Sequence, residues 1–580
     1  MLGTEGPTAE HPVRRPSVEA LRNRPRARVL IIGGGINGVG TFRDLALQGI
    51  DVALVERGDY CQGASGASSH MIHGGIRYLE NGEFRLVRES VTERNSLLRI
   101  APHYVKPLKT TIPIFSTVSG VLAAPMRFLM HRQGKPKERG AFLIKLGLSL
   151  YDSFSRDGGT VPRHQFAGRR RALAELPRLN PGIKYAATYF DASVHNPERL
   201  TLDVLQDGEK AGGARARASN YLAVTKVTDD GVELTDELSG GSFTFTADVI
   251  VNTTGAWVDK TNETLGSPSS FMGGTKGSHI VLDHPELLAA CAGREIFFEH
   301  TDGRIVLIYP MGDRVLVGTT DIDADIDQDA VCTDAEITYF FDLVGHVFPD
   351  ITLRREDIVY SFAGVRPLPR HDETAPGFVS RDYRIETGHR RVGGRTVPVL
   401  SLVGGKWTTF RALSEHLSND VLLLLGAQRR ITTAGLAIGG GKDFPGSAAA
   451  VETWIAAHSS AAVPRERVAT LLTRYGTRAA EVIAYLEAGE DHALSATAEL
   501  STGELGFMVE HEQIGHLIDV LIRRTSLAFR GLVSRDLLAE TASALGTRLG
   551  WDAARQEQEA AHAAAVLQRY HGVRIPAAIA

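Results

Sequence analysis

Between Arg28 and Glu56 the chain reads RVLIIGGGINGVGTFRDLALQGIDVALVE. Arg28 to Ile32 is a short apolar run of the kind that forms a buried strand. Gly33, Gly35 and Gly38 follow in G-x-G-x-x-G spacing, then an amphipathic stretch closed by Gly49 and a second apolar run, Asp51 to Val55, ending in Glu56. The three glycines serve different ends. Gly33 permits the sharp turn, Gly35 lets backbone approach a pyrophosphate, and Gly38 lets helix press on strand. The helix N-terminus then offers free N–H groups and partial positive charge to phosphate oxygens. Glu56 stands eighteen residues after Gly38, near the spacing of about 20 for a carboxylate that accepts bonds from ribose hydroxyls. The glycines alone would also fit an ordinary tight turn. Their place in a strand, turn, helix, strand, acid series is what predicts dinucleotide binding.

Residues 58–80, GDYCQGASGASSHMIHGGIRYLE, are dense in Gly, Ser and Ala and carry His70 and His73. Small residues admit close backbone approach to a flat ligand, and Ser65, Ser68 and Ser69 offer hydroxyls. A free surface loop would not need the apolar Ile72, Ile76 and Leu79. Phe84 to Ile100 is helical in pattern. Between Val121 and Lys145 there are six basic residues (Arg127, Arg132, Lys135, Lys137, Arg139, Lys145) and one acid, Glu138, among apolar clusters. That composition suits either a segment lying in an anionic membrane interface or a solvated helical hairpin.

Further on, a helical pattern from Arg199 to Gly213 precedes a strand, Ala218 to Lys226, and a largely apolar strand, Ala247 to Thr253, which runs into Thr254 and Gly255. Residues 276–321 alternate strands with polar turns, as an antiparallel meander does. Val399 to Val403 enters Gly404, Gly405, Lys406, Trp407, Thr408 and Thr409, with a helix starting near Phe410. This is a second glycine turn aimed into a helix. Candidate cofactor segments thus sit near residues 33, 65, 255 and 405. Such dispersal suits a large cofactor threaded through the domain, so FAD is favoured over NAD. Arg77, Arg366, Arg381 and Lys406 lie in apolar company, where burial would be costly unless an anion paired with them. Arginine meets phosphate oxygens bidentately, and several cations suit a dianion better than one carboxylate; exposure of each at the surface is the plain alternative.

Length argues for two or three domains, because 580 residues exceed one core. The net charge of -4 gives no reason to expect nucleic-acid binding. Three cysteines (Cys61, Cys291, Cys332) without C-x-x-C spacing point to a reducing compartment, with no disulfide or metal scaffold. The first 26 residues, rich in Pro, Arg, Glu and Gly, read as a disordered extension. No apolar run reaches membrane-spanning length.

IIGGGINGVG, ASSHMIHGGIRYLE, FRLVRES, KGSHIV, VGTTD, GVRPL, SRDY and GGKWTTFR together resemble the FAD-dependent, quinone-linked glycerol-3-phosphate dehydrogenases. The likeness runs from about residue 27 into the C-terminal helices, where DVLIRRTSL is similar to that family's helical domain. It implies an α/β chain: an FAD-binding Rossmann-like domain of the glutathione-reductase/D-amino-acid-oxidase type, an antiparallel-sheet substrate domain and an all-α C-terminal domain. The implied layout is FAD-binding segments at about 27–116, 160–260 and 381–430, the basic segment at 117–150, the substrate sheet at about 261–380, a linker at 431–446 and helices over 447–580.

The resemblance also implies site residues. Arg77, Tyr78, His279, Arg366, Arg381 and Lys406 would bind substrate, with His73, Arg77, Arg366 and Lys406 as the catalytic group. Gly33, Gly35, Asn37, Gly38, Glu56, Arg57, Ser65, Ser68, Ser69, His73, Gly74, Gly255, Gly405, Lys406, Thr408 and Thr409 would hold FAD. The family usually has Lys where this chain has His70, and Thr or Ser where it has Ala64. The implied reaction is oxidation of sn-glycerol 3-phosphate to dihydroxyacetone phosphate, with hydride passing from C2 to the flavin and His73, then Lys406, as candidate proton acceptors. Electrons would pass to a quinone, from a cytoplasmic protein held peripherally on the inner face of the cell membrane. An oxidase using oxygen, an amino-acid oxidase and a flavin-bound regulator without turnover remain alternatives. The sequence leaves a homodimer open.

Overall fold

The computed structural model describes residues 15–75, 84–115, 148, 151, 162–299, 305–370, 382–392 and 395–575. Arg77, Tyr78, Arg381 and the basic segment 117–150, apart from the isolated position 148, lie outside the described residues.

Two sheets carry the molecule. In the first, the strand Arg26–Ile32 sits between Val52–Val55 and Ser242–Asn252, flanked by Ala216–Ser219 on one side and Arg395–Val403 on the other, all parallel. Arg384–Val392 closes one edge antiparallel. The central strands are apolar on both faces because helices cover both: Val29, Leu30 and Ile31 are fully buried. On one face the helix Ile36–Leu47 packs against the helix Pro197–Gly212, so closely that a Cβ on Gly208 would stand 2.8 Å from the Phe42 ring. The strands Leu222–Thr228 and Gly231–Asp236 add an antiparallel extension to Ser242–Asn252.

The second sheet has ten strands, ordered Ile322–Asp323, Met272–Leu282, Arg314–Gly318, Ile305–Met311, Glu295–Glu299, Val105–Ile114, Tyr185–Val194 and Met71–Ile72. Ile358–Pro369 pairs along Met272–Leu282, and Gln165–Gly168 along Tyr185–Val194. All pairings are antiparallel except Glu295–Glu299 with Val105–Ile114. One face packs on the helices Asp334–Val347 and Pro285–Ala290. On the opposite side Leu307, Tyr309, Leu316, Tyr360 and Phe362 share a core with the C-terminal helices.

Several boundaries differ from the sequence reading. Residues 15–26 are not an extension: Pro16–Asn23 is helical, and Val18 and Leu21 are buried against the first sheet's core. Val105–Ile114, Gln165–Gly168 and Tyr185–Val194, placed above in cofactor segments, belong to the substrate sheet. The strand expected over 218–226 breaks at Tyr221, whose φ is 48°, and the meander is interrupted by Pro285–Ala290. The linker at 431–446 is packed: Ile438 is fully buried and its N–H donates to Ile100 O at 2.8 Å. Residues 447–575 are helical apart from a hairpin, Ala493–Leu494 with Thr497–Ser501.

The C-terminal region is tied to the nucleotide-binding half by charge. Asp59, three residues after Glu56, is fully buried and accepts from Arg523 Nε (2.6 Å), Arg524 Nη1 and Nη2 (2.7 and 3.0 Å) and Asn220 Nδ2 (2.8 Å). Burial alone would raise its carboxyl, but the two guanidiniums outweigh it and hold the group well below the usual carboxylate range. Asp59→Ala would strand the fully buried Arg524 and is expected to cost about 3–5 kcal/mol. Denaturant unfolding of the variant measures this, and a loss under about 1 kcal/mol would contradict it.

Candidate active site

The four separated glycine and serine segments meet. Gly33 holds φ at +108°, and an added Cβ would lie 2.8 Å from Thr253 O. Gly38 is pressed harder, with its Cβ position 2.0 Å from Gly33 O. At Gly35 only Ser65 Oγ comes within 4 Å, at 3.1 Å, so this backbone borders space rather than packing. Ser65 Oγ accepts from Ile36 N at 3.1 Å, at the helix N-terminus. A Cβ on Gly405 would stand 2.7 Å from Asn37 Nδ2, and Gly255 borders Pro367 at 4.0 Å.

The loop after Glu56 is held from both sheets. Trp407 Nε1 donates to Ser65 O (2.9 Å) and Thr408 Oγ1 to His73 O (3.1 Å). Ser69 Oγ meets His279 Nε2 at 2.8 Å, and Tyr309 OH donates to Ser69 O at 3.0 Å. Gly74 N donates to Asp191 Oδ1 (3.0 Å), an oxygen that also receives Arg94 Nη1 (2.9 Å) and Tyr151 OH (2.6 Å). Ser68 Oγ stays in its own turn, accepting from His70 N at 3.3 Å.

Glu56 accepts from Gly34 N (2.6 Å) and Gly58 N (2.9 Å), while burial pushes its carboxyl up. Arg57 turns outward, its side chain three-quarters exposed and 3.9 Å from Glu237. Asn37 Oδ1 and Thr409 Oγ1 are enclosed without a partner among the described residues. A glycine-lined helix N-terminus, an acid at the end of the second strand and polar atoms left over beside them fit a flavin dinucleotide.

The residues expected to meet substrate are brought together by strand alternation. Thr275 pairs with Arg366, Gly277 with Gly364 and His279 with Phe362, so Arg366, Phe362 and His279 share one face. Glycine at 277 makes room: a Cβ there would meet Arg366 Nη2 at 2.1 Å. His279 stacks on Phe362 with centroids 4.7 Å apart and an interplanar angle of 13°. Burial first, then the Arg366 charge and His70, hold its imidazole well below the ordinary value, hence neutral. Its Nδ1 is enclosed without a partner. Arg366 Nη1 donates to Asp321 Oδ1 (2.9 Å), and Nη2 to Thr319 Oγ1 (3.0 Å) and Thr320 O (2.9 Å). Lys406 Nζ, from the other sheet, donates to Ser90 Oγ at 2.7 Å. His70 is buried between Phe362 and Phe529, and burial drives its pKa down to about 3.

Residues 28–409 match the FAD dependent oxidoreductase family, and residues 431–556 match the C-terminal domain of alpha-glycerophosphate oxidase. A glycerol-3-phosphate dehydrogenase of Synechocystis is 33% identical, across 95% of this chain and 98% of that protein. The chain belongs to the FAD-dependent glycerol-3-phosphate dehydrogenase family. Its cofactor is FAD. D-erythritol 1-phosphate dehydrogenase of Brucella abortus is 31% identical over 86% of this chain and 93% of its own length. The fold is shared with glycerol-3-phosphate dehydrogenase from Bacillus halodurans complexed with FAD, at a TM-score of 0.72 and 23% identity over 95% of this chain and 97% of that one. Asp321 and Thr319 bond Arg366, Ser90 bonds Lys406, and the Asp191–Arg94–Tyr151 group holds Gly74, contacts to candidate residues that sequence reasoning missed. VGTTD carried a signal for the first two; the others rest on contacts between residues 40 to more than 300 positions apart.

Proposed function

We propose that the protein oxidises C2 of sn-glycerol 3-phosphate to give dihydroxyacetone phosphate, passing electrons through FAD to a quinone at a membrane surface. The observation that carries the substrate reading is the shared face of Arg366, Phe362 and His279, joined through Ser69 to the loop that Trp407 and Thr408 hold. FAD, when bound, supplies the hydride acceptor. Asp321 and Thr319 fix the Arg366 guanidinium in orientation, and a guanidinium so held suits the recognition of phosphate oxygens. For the hydroxyl proton, His279 joins His73 as a candidate: it is neutral, and its Nδ1 meets no acceptor or donor among the described residues. Lys406, whose Nζ is engaged by Ser90 Oγ, is better suited to orienting substrate. Arg77, Tyr78 and Arg381 complete the pocket in this reading on the strength of their motifs.

A second substrate, D-erythritol 1-phosphate, is favoured by the Brucella abortus relative and shares a polyol phosphomonoester. Steady-state kcat/KM for both phosphates and for glycerol decides between them. Glycerol 3-phosphate is expected to be best and glycerol weaker by at least about tenfold, the loss of one or more charged hydrogen bonds. Faster turnover of D-erythritol 1-phosphate would move the assignment. Peroxide yield in air separates an oxidase from a dehydrogenase. Membrane attachment rests on the basic segment 121–145; no described helix is long and apolar enough to cross a membrane.

A further inference from the structure

The strand Glu295–Glu299, EIFFE, opens on an acid that the fold buries. Alternation sets Glu295 on the face of Phe297, and cross-strand pairing carries that face through Leu307 and Gly318 to His279. A glutamate enclosed within a sheet is uncommon unless it is paired. Thr110 Oγ1, donating to Oε2 at 2.8 Å, is its one hydrogen-bond partner among the described residues, and Oε1 is enclosed without any.

The groups around it offer no balancing charge. Tyr185–Val194 brings Tyr189 and Asp191, Ile305–Met311 brings Tyr309, and the helix Phe84–Ile100 brings Arg94. Arg94 Nη1 bonds Asp191 Oδ1 at 2.9 Å, with both side chains buried. Glu295 therefore faces a carboxylate that already holds the nearby cation. A lone carboxylate so enclosed takes up a proton instead. Burial first, offset in part by the Thr110 bond and reinforced by Asp191, pushes its pKa up to about 8.

Tyr309 and Asp191 are also the two supports of the loop 69–74. Tyr309 OH donates to Ser69 O at 3.0 Å, and Gly74 N donates to Asp191 Oδ1 at 3.0 Å. A charge on Glu295 acts on both of them.

We propose that Glu295 is a positioning residue: its neutral carboxyl keeps Tyr309 and Asp191 in place beneath the loop that carries His73, and its ionisation loosens that loop. An ionised Glu295 would compete with Ser69 O for the Tyr309 hydroxyl and with Asp191 for Arg94. The kinetic consequence rests on the reaction proposed above; the structural one does not.

Denaturant unfolding and steady-state kinetics of FAD-loaded wild type and Glu295→Gln, each across pH, test this. Glutamine has the shape of the neutral acid and cannot ionise. Because the folded pKa is raised, the wild type should lose stability relative to Glu295→Gln as pH climbs from the ordinary carboxylate range through about 8. Wild-type kcat/KM for glycerol 3-phosphate should fall about tenfold or more between about pH 7 and about pH 9.5, and far less in Glu295→Gln. Thr110→Val removes the bond that favours the ionised form and should move the alkaline fall to higher pH. Parallel stability curves, or the same alkaline fall in wild type and Glu295→Gln, would overturn the proposal, as would loss of flavin from Glu295→Gln at neutral pH. If the wild type oxidises no glycerol 3-phosphate at any pH, the substrate reading falls, and the stability curves still decide the role of Glu295.

Discussion

Gly35→Val is expected to purify as a folded protein without flavin, and Gly38→Val to lose flavin and stability together. The difference lies in what each Cβ would meet. At Gly35 the neighbour is a lone serine hydroxyl at 3.1 Å, and the rest of the space belongs to the ligand. Valine there blocks backbone approach to the pyrophosphate while leaving the sheet alone. At Gly38 the new carbon would stand 2.0 Å from Gly33 O and 2.8 Å from Thr253 Oγ1. Gly33 cannot yield, because Thr253 Oγ1 bonds both Ile32 O and Gly33 O at 3.0 and 3.1 Å, and its own Cβ position abuts Thr253 O. Helix and strand must part, at a cost of about 1–3 kcal/mol or more. Visible absorbance of the purified proteins and their denaturant midpoints read both effects. Full flavin content in Gly35→Val would contradict the cradle.

Arg366→Met is expected to lower kcat/KM for glycerol 3-phosphate by roughly tenfold or more, corresponding to about 1.5–3 kcal/mol for a charged hydrogen bond. Arg366→Lys should raise KM clearly, since lysine keeps the charge but loses the fork. The phosphate is remote from C2, so its binding energy serves partly for affinity and partly for alignment beneath the flavin. Asp321 supplies the control. Asp321→Asn keeps a hydrogen-bond acceptor for Arg366 Nη1 but removes the neutralising charge, and should impair the reaction less than Arg366→Met. FAD content should hold in all three, and glycerol oxidation should change far less than that of the phosphate ester. Equal losses on glycerol and glycerol 3-phosphate would remove Arg366 from the phosphate.

What could be read in the sequence was local. The nucleotide motif announces itself because strand, turn, helix and acid follow one another within thirty residues, and the helix Phe84–Ile100 has the bounds its pattern gives. Membership of a sheet is not local: Val105–Ile114 and Tyr185–Val194 pair along ten residues despite some seventy intervening positions. No periodicity shows which sheet they join. The Pro16–Asn23 helix was hidden by its charged flanks, although Val18 and Leu21 hold it down. In the site, Arg366 and His279 are brought to one face by register, which the motifs GVRPL and KGSHIV name but do not pair. Asp59, Arg523 and Arg524 were invisible for another reason: a buried ion pair spanning 464 and 465 positions leaves no trace in either stretch alone.

The central claim is that a phosphorylated polyol is oxidised at the flavin. Anaerobic titration of the FAD-loaded protein with sn-glycerol 3-phosphate tests it most directly. The account predicts that the yellow flavin bleaches as substrate is added, that dihydroxyacetone phosphate forms in step, and that a quinone restores the colour faster than air does. A flavin spectrum unchanged by glycerol 3-phosphate, in a protein that bleaches with dithionite, would contradict it.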